Sequence, residues 1–310
     1  MEIHFTDVTL RDGLQAEPSP IVLEKKLALF ERLRRCGYAR LEITSFVHPK
    51  WIPQLADSAE LCDAIFKRGA STPKAGAPPM EFMAFVPNEK GLDRLLQYRI
   101  PWASAFVATS AAFNQKNVNK TVDETLRELQ ELGTKVRAEK RRWRLYVSTV
   151  FGCPYEGAHR LEHTLEILKK AADLGPDEIA LSDTIGVALP EQVERILNGF
   201  LKCYPAEKTA LHLHDTYGLA LSCAEQGYRM GVRRFDGSTG GVGGCPYAKG
   251  ASGNVASESL LYAFSRQNRM HSVPFTEILK TIEHMATDLK LTVHSRLYEI
   301  VRRGGKLYGV

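Results

Sequence analysis

The stretch with the most chemical promise is Leu211-His212-Leu213-His214-Asp215-Thr216-Tyr217-Gly218. Leu211 and Leu213 alternate with the two histidines at the period of a β-strand, so His212 and His214 project from one face. Two parallel imidazoles at a strand's end make half of a metal site, and the other ligands must come from other strand ends. A lone His is more economically read as a core or loop residue. A His-x-His pair running into Asp-Thr-Tyr-Gly favours the metal. The second such stretch is residues 240–254, with six glycines in fifteen residues, a backbone free to move or to approach a ligand closely. Cys245 sits in its middle, where a mobile loop could deliver it to a bound substrate. The plain alternative is a small buried hydrophobe, the usual state of a free Cys and the reading that suits Cys153 better. Lys249 either meets a phosphate or is simply solvated. Asn254 either caps the helical stretch it opens or ligates a metal through its carbonyl oxygen.

These residues need a scaffold that converges strand ends, and the pattern of the chain supplies one. Strand-like runs at residues 2–8, 39–43, 82–86, 103–108, 143–150, 178–181, the histidine strand and 233–236 are each followed by a helical pattern. Gly37 stops the first of those helices. Strand then helix throughout predicts a parallel sheet, and eight such units in 310 residues predict an α/β fold of the (β/α)8 TIM-barrel type. The competing doubly wound sheet lacks its Gly-x-Gly-x-x-Gly after the first strand. We expect the barrel over residues 1–270 and a C-terminal helical extension, 271–310, packed upon it. Residues 69–79 read as a Gly/Pro/Ala surface insertion. In a barrel, Arg11 and Asp12, Glu42, Asp183, and His212 with His214 would all arrive at one face from successive strand ends.

Composition narrows the partners. Hydrophobic residues make up 44% of the chain, enough for a large core, and the net charge of +5 favours anionic small molecules. The densest basic cluster, Lys140-Arg141-Arg142 with Arg144, fits a helix end beside a strand and has no aromatic interleaving, so nucleic acid is not expected. No apolar run reaches membrane-spanning length. Six cysteines without a Cys-x-x-Cys pair, and a strand pattern that starts almost at once, lead us to expect a reducing, cytoplasmic setting.

Arg11-Asp12-Gly13-Leu14-Gln15, Thr44-Ser45-Phe46-Val47, Pro49-Lys50-Trp51, Gly152-Cys153-Pro154-Tyr155-Glu156-Gly157, Ser182-Asp183-Thr184-Ile185-Gly186, His212 to Gly218 and Gly243 to Asn254 together resemble the 3-hydroxy-3-methylglutaryl-CoA lyases, within the barrel metallolyases that also include isopropylmalate and homocitrate synthases. The resemblance spans nearly the whole chain, and the Gly-Gly-Cys-Pro-Tyr loop separates the lyases from the synthases. It implies a divalent cation held by Asp12, His212, His214 and Asn254. It implies catalytic work by Arg11, Asp12, Glu42, His212 and Cys245, with Arg11 polarising the thioester carbonyl, Glu42 supporting the site and Cys245 as an acid–base group. It further implies an acyl-CoA substrate, with a homodimer as the assembly to test. The expected reaction is retro-Claisen cleavage of a 3-hydroxy-3-methylglutaryl-CoA-like thioester to acetyl-CoA and acetoacetate. A related 3-hydroxyacyl-CoA substrate, or condensation as in the synthases, is the alternative. Two imidazoles, a carboxylate, an amide oxygen and open positions suit Mg2+ or Mn2+ better than tetrahedral zinc. Thr9-Leu10, Ala16, His48 and Ala111 depart from the lyase wording and leave the acyl group open.

Overall fold

Every expected strand forms, and alternation of side chains within each strand decides what faces the helices and what faces the axis. The computed structural model describes residues 3–67, 80–244, 253–269 and 273–309. The strands β1 (His4–Asp7), β2 (Arg40–Ser45), β3 (Glu81–Phe85), β4 (Trp102–Ala108), β5 (Arg142–Ser148), β6 (Glu178–Asp183), β7 (Thr209–Leu213) and β8 (Arg234–Gly237) run parallel in sequence order. β8 pairs back onto β1, with Phe5 opposite Phe235, and closes a (β/α)8 barrel. The outer ring comprises α1 (Leu23–Leu33), α2 (Ser58–Lys67), α3 (Glu89–Leu95), α4 (Ala111–Val118), α5 (Val122–Ala138), α6 (Leu161–Asp173), α7 (Pro190–Phe200), α8 (Ala220–Arg229) and α9 (Ser257–Arg266). Beyond it, α10 (Phe275–Thr287) packs against α1, and α11 (Arg296–Arg302) against α9 and α10. The insertion read at residues 69–79 lies outside the described residues.

β5 shows the sorting clearly. Trp143, Leu145 and Val147 join the main core between sheet and helices, whereas Tyr146 joins a small inner cluster with Met83, Trp102, Ala180 and Ala210. Arg144, two residues before Tyr146, points inward as well and is wholly buried. The basic cluster read at Lys140 to Arg144 therefore divides, and its last member belongs to the interior.

That interior is held by charge. Arg40 donates to both oxygens of Glu178, at 3.0 and 3.2 Å. Arg144 lies 3.0 Å from Glu178 through Nε and donates through Nη2 to both oxygens of Asp236, at 2.9 and 2.8 Å. Arg234 reaches Glu178 at 3.1 Å. Burial works against the Glu178 carboxylate, but Arg40, Arg144 and Arg234 outweigh it and hold its pKa at about 2, against an ordinary 4.5. Such a shift amounts to ~3 kcal/mol of stability. A depressed carboxylate stabilises the fold above its unfolded pKa, and that contribution is lost as pH falls through the folded value.

Glu178→Gln leaves three guanidiniums facing only Asp236 and the more distant Glu81, so we expect a loss of about 3–5 kcal/mol in urea unfolding at neutral pH. The variant should also lose stability less steeply than the parent between about pH 5 and pH 2. A neutral substitution with an unchanged acid limb would show that the network does not stabilise the barrel.

Candidate active site

The C-terminal rim of the barrel gathers its polar groups around a tight turn after β1. Residues Thr9–Gly13 form one π-helical turn, in which the Val8 carbonyl accepts from the amides of Arg11, Asp12 and Gly13 at 2.9–3.2 Å. Turns of this kind are frequent at functional sites. Gly13 is required for space, because a Cβ there would lie 2.8 Å from Ser238 Oγ and 2.9 Å from Val242 Cγ2. The turn aims Arg11 across the barrel mouth and Asp12 at the histidines.

Arg11 is buried and tied down at three of its N–H groups. Nε donates to Glu42 Oε2 at 2.6 Å, Nη2 lies 2.6 Å from the same oxygen, and Nη1 donates to Asp12 Oδ1 at 2.6 Å. Its guanidinium also stands over the rings of Tyr146 and Phe85, at 5.2 and 5.6 Å. Burial opposes the charge, yet Glu42 and Asp12 outweigh it and raise the Arg11 pKa. Glu42 is fully buried and additionally accepts from Ser104 Oγ at 2.6 Å and from the Tyr146 hydroxyl at 3.0 Å. Contrary to the sequence reading, Glu42 does not finish its strand. It sits within β2, just where the pairing register with β3 shifts, and reaches the site from inside the barrel.

The Nε2 atoms of His212 and His214 lie 3.8 and 3.7 Å from Asp12 Oδ2, and one donor atom from each of the three residues falls within 4.8 Å of the others. His212 Nδ1 faces Asp236 Oδ2 at 3.1 Å, which turns Nε2 toward Asp12. Burial works against the Asp12 carboxylate, but Arg11 and the two imidazoles overcome it and hold its pKa well below the usual range. Residues 253–255 lie beside the end of β7, with His214 bridged to Asn254 and the Val255 amide donating to the Leu213 carbonyl at 3.0 Å. Asn254 Nδ2 donates to Asp12 Oδ2 at 2.8 Å. Asn254 therefore does not cap the helix it precedes: α9 begins at Ser257 behind Ala256 with no side-chain cap.

Two atoms here fail the ordinary rule that buried polar groups find partners. Asn254 Oδ1 and His214 Nδ1 are buried without a hydrogen bond among the described residues. An unpaired amide oxygen beside two imidazole nitrogens and a carboxylate is the donor set of a hard or borderline divalent cation, so these residues fit a metal. Above them opens a cavity of about 560 Å3, walled on one side by Val47, Trp51, Phe85, Phe106 and Phe113. Gly244 lines its rim. Cys245 and Lys249 lie outside the described residues.

Asp183, named with the strand-end residues, does other work. Its carboxylate accepts from the amides of Val187 and Ala188 at 3.0 and 2.9 Å and so holds the loop after β6. Sequence reasoning missed Tyr146, Ser104 and Asp236, although polar residues two apart within apolar strands, as in Arg144-x-Tyr146-x-Ser148, are a signal for the barrel interior. It also missed α4, which carries Phe113, Lys116 and Asn117 to the cavity.

Known proteins match this chain along nearly its full length. The HMGL-like family model matches residues 2–285. Hydroxymethylglutaryl-CoA lyase YngG of Bacillus subtilis is 37% identical over 301 residues, covering 97% of this chain and 98% of that protein. The 3-hydroxy-3-isohexenylglutaryl-CoA/hydroxy-methylglutaryl-CoA lyase of Pseudomonas aeruginosa is 37% identical over 261 residues, 84% of each. Among solved structures, an HMG-CoA lyase from Acinetobacter baumannii in complex with coenzyme A and 3-methylmalate superposes with a TM-score of 0.89 at 30% identity, covering 100% of this chain and 97% of that one. A match of this extent leaves one placement: the chain belongs to the HMGL-like family, that of the hydroxymethylglutaryl-CoA lyases.

Proposed function

We propose that this protein is a divalent-metal-dependent carbon–carbon lyase that cleaves a 3-hydroxy-3-methylglutaryl-CoA-like thioester to acetyl-CoA and acetoacetate. The observation that carries the reading is the convergence of Asp12, His212, His214 and the unpaired Asn254 Oδ1 beside Arg11, at the foot of an apolar cavity. In this reading Asp12, His212, His214 and Asn254 hold Mg2+ or Mn2+. A bound divalent cation supplies Lewis-acid stabilisation of negative charge as the 3-hydroxyl loses its proton.

The protein's own groups do the rest. The bond between C2 and C3 breaks, its electrons pass to the thioester as an enolate, and C3 becomes the ketone of acetoacetate. Arg11 has two N–H donors beyond the three spent on Glu42 and Asp12, and it lines the cavity, so it is the group we assign to the enolate oxygen. Glu42, Ser104 and Tyr146 keep that guanidinium from swinging away. His212, oriented through Asp236, contributes to the hydroxyl's deprotonation as a ligand of the cation that would stabilise the alkoxide. Cys245, adjacent to the rim residue Gly244, is the acid we assign to the enolate carbon, on the strength of the family motif. Residues 1–270 would form the catalytic unit and 271–310 its packed extension. Cytoplasmic location and a homodimer are the remaining parts of the proposal.

A second reading concerns the acyl group. The aromatic wall offers more apolar surface than one methyl can cover, which favours a longer 3-alkyl substituent. A screen of 3-hydroxy-3-alkylglutaryl-CoA thioesters for released acetyl-CoA decides between the two, and absence of acetyl-CoA from all of them would sink the lyase assignment.

His212→Ala or His214→Ala should abolish measurable Mn2+ binding in calorimetry and turnover with it, while the circular dichroism spectrum stays that of the parent. Activity that survives exhaustive chelation would contradict the metal role. Arg11→Lys keeps the charge but not the planar fork, and turnover should fall about 10²–10³-fold; near-normal rates would make Arg11 a structural residue. Cys245→Ala should bind Mn2+ and a substrate analogue as the parent does but turn over roughly 10²–10⁴-fold more slowly. Full turnover with a lowered melting temperature would instead assign Cys245 to packing.

A further inference from the structure

We propose that Cys153, Glu156 and His159 form a second metal site, one of the zinc class, on the loop between β5 and α6. One donor atom from each residue lies within 4.8 Å of the other two. A thiol, an imidazole and a carboxylate are the ligands zinc-class ions select, and the sulfur excludes Mg2+ and Ca2+ as natural occupants.

The loop is built to bring the three together. Cys153 and Gly157 exchange both backbone hydrogen bonds, N to O at 2.8 and 2.9 Å, which folds the five-residue span tightly and returns Glu156 toward the sulfur. The Tyr155 amide donates to Cys153 Sγ at 3.3 Å and fixes the sulfur's position. Cys153 is buried, and its Sγ also lies 2.9 Å from Ser110 Oγ. Glu156 accepts from the Ala112 amide through Oε1 at 3.1 Å, and from the Ser110 hydroxyl. His159 Nε2 is buried and has no hydrogen-bond partner among the described residues, which is hard to account for if the ring has only structural work to do. The neighbouring His163 ring, 5.5 Å away between centroids, already directs Nε2 to the Thr109 carbonyl at 2.9 Å. The fourth position is thus open to water. Glu156 is exposed and offers a way in.

Binding would deprotonate Cys153, with the proton released to solvent. Ser110 and Ala112, the loop's anchors, form the first turn of α4, and α4 carries Phe113, Lys116 and Asn117 to the cavity. A metal here would pin one cavity wall.

The test is a titration of the reduced, Mg2+-holding protein with Co2+, followed by sulfur-to-cobalt charge-transfer absorption in the near ultraviolet. We expect the band to saturate at about one Co2+ per chain, with the single thiolate of a mixed-ligand site. It should be intact in Cys245→Ser and absent in Cys153→Ser. His159→Ala should weaken Co2+ at this site by more than about 100-fold, beyond what losing an outer partner costs. Cys153→Ser and His159→Ala should keep cooperative melting and Mg2+-supported turnover, which separates loss of the site from loss of the fold. No band in the parent, a band that survives Cys153→Ser, a band lost with Cys245→Ser, or unchanged affinity in His159→Ala would each overturn the proposal.

Discussion

One carboxylate joins the part of the barrel that stabilises it to the part that can react. Asp236, on β8, accepts both bonds of the wholly buried Arg144 and, through Oδ2, faces His212 Nδ1 at 3.1 Å. Without Arg144 the carboxylate would be an uncompensated buried charge, and without the carboxylate the His212 ring would have no fixed tautomer. Aiming Nε2 of His212 at Asp12 therefore depends on a salt bridge reached from below. Glu178 extends that support to Arg40 and Arg234, so the orientation of a rim residue is tied to the closure of the sheet.

The two ends of the interior are treated oppositely. At the lower end each carboxylate meets guanidiniums, and what stays without a hydrogen bond among the described residues is donor N–H groups, those of Arg40 Nε and of Arg144 Nε and Nη1. At the rim it is instead Asn254 Oδ1 and His214 Nδ1 that stay unpaired. Unpaired buried polar groups cost about 1–3 kcal/mol each, which a stable fold tolerates at a functional site. Arg11 belongs to both regimes. Glu42 and Asp12 fix its position, while its remaining donors face the cavity.

The barrel is legible in the sequence because strands buried on both faces still alternate, as Leu211 and Leu213 do between the histidines, and because glycines such as Gly37 punctuate the units. His212, His214 and Asp12 are legible for the same reason: they close elements whose periods are plain. Asn254 is legible only as one of two roles, and the bridge to His214 decides between them. Glu42 shows what periodicity alone loses, since a register shift within β2 carries it to the site from mid-strand. Asp236, Tyr146 and Ser104 act through partners far away in the chain, with Arg144 92 positions from Asp236, and no local pattern encodes such pairings. The short helix α4 escapes notice because its apolar residues lack a sustained helical stripe.

The proposed chemistry depends on which atoms would hold the cation. Electron–nuclear double resonance of the Mn2+-loaded protein, with histidine labelled uniformly with 15N, reads those atoms directly. Two directly bonded histidine nitrogens are predicted, one of which disappears in His212→Gln and the other in His214→Gln. A Mn2+ spectrum without nitrogen coupling, or one indifferent to both substitutions, would contradict the site described here.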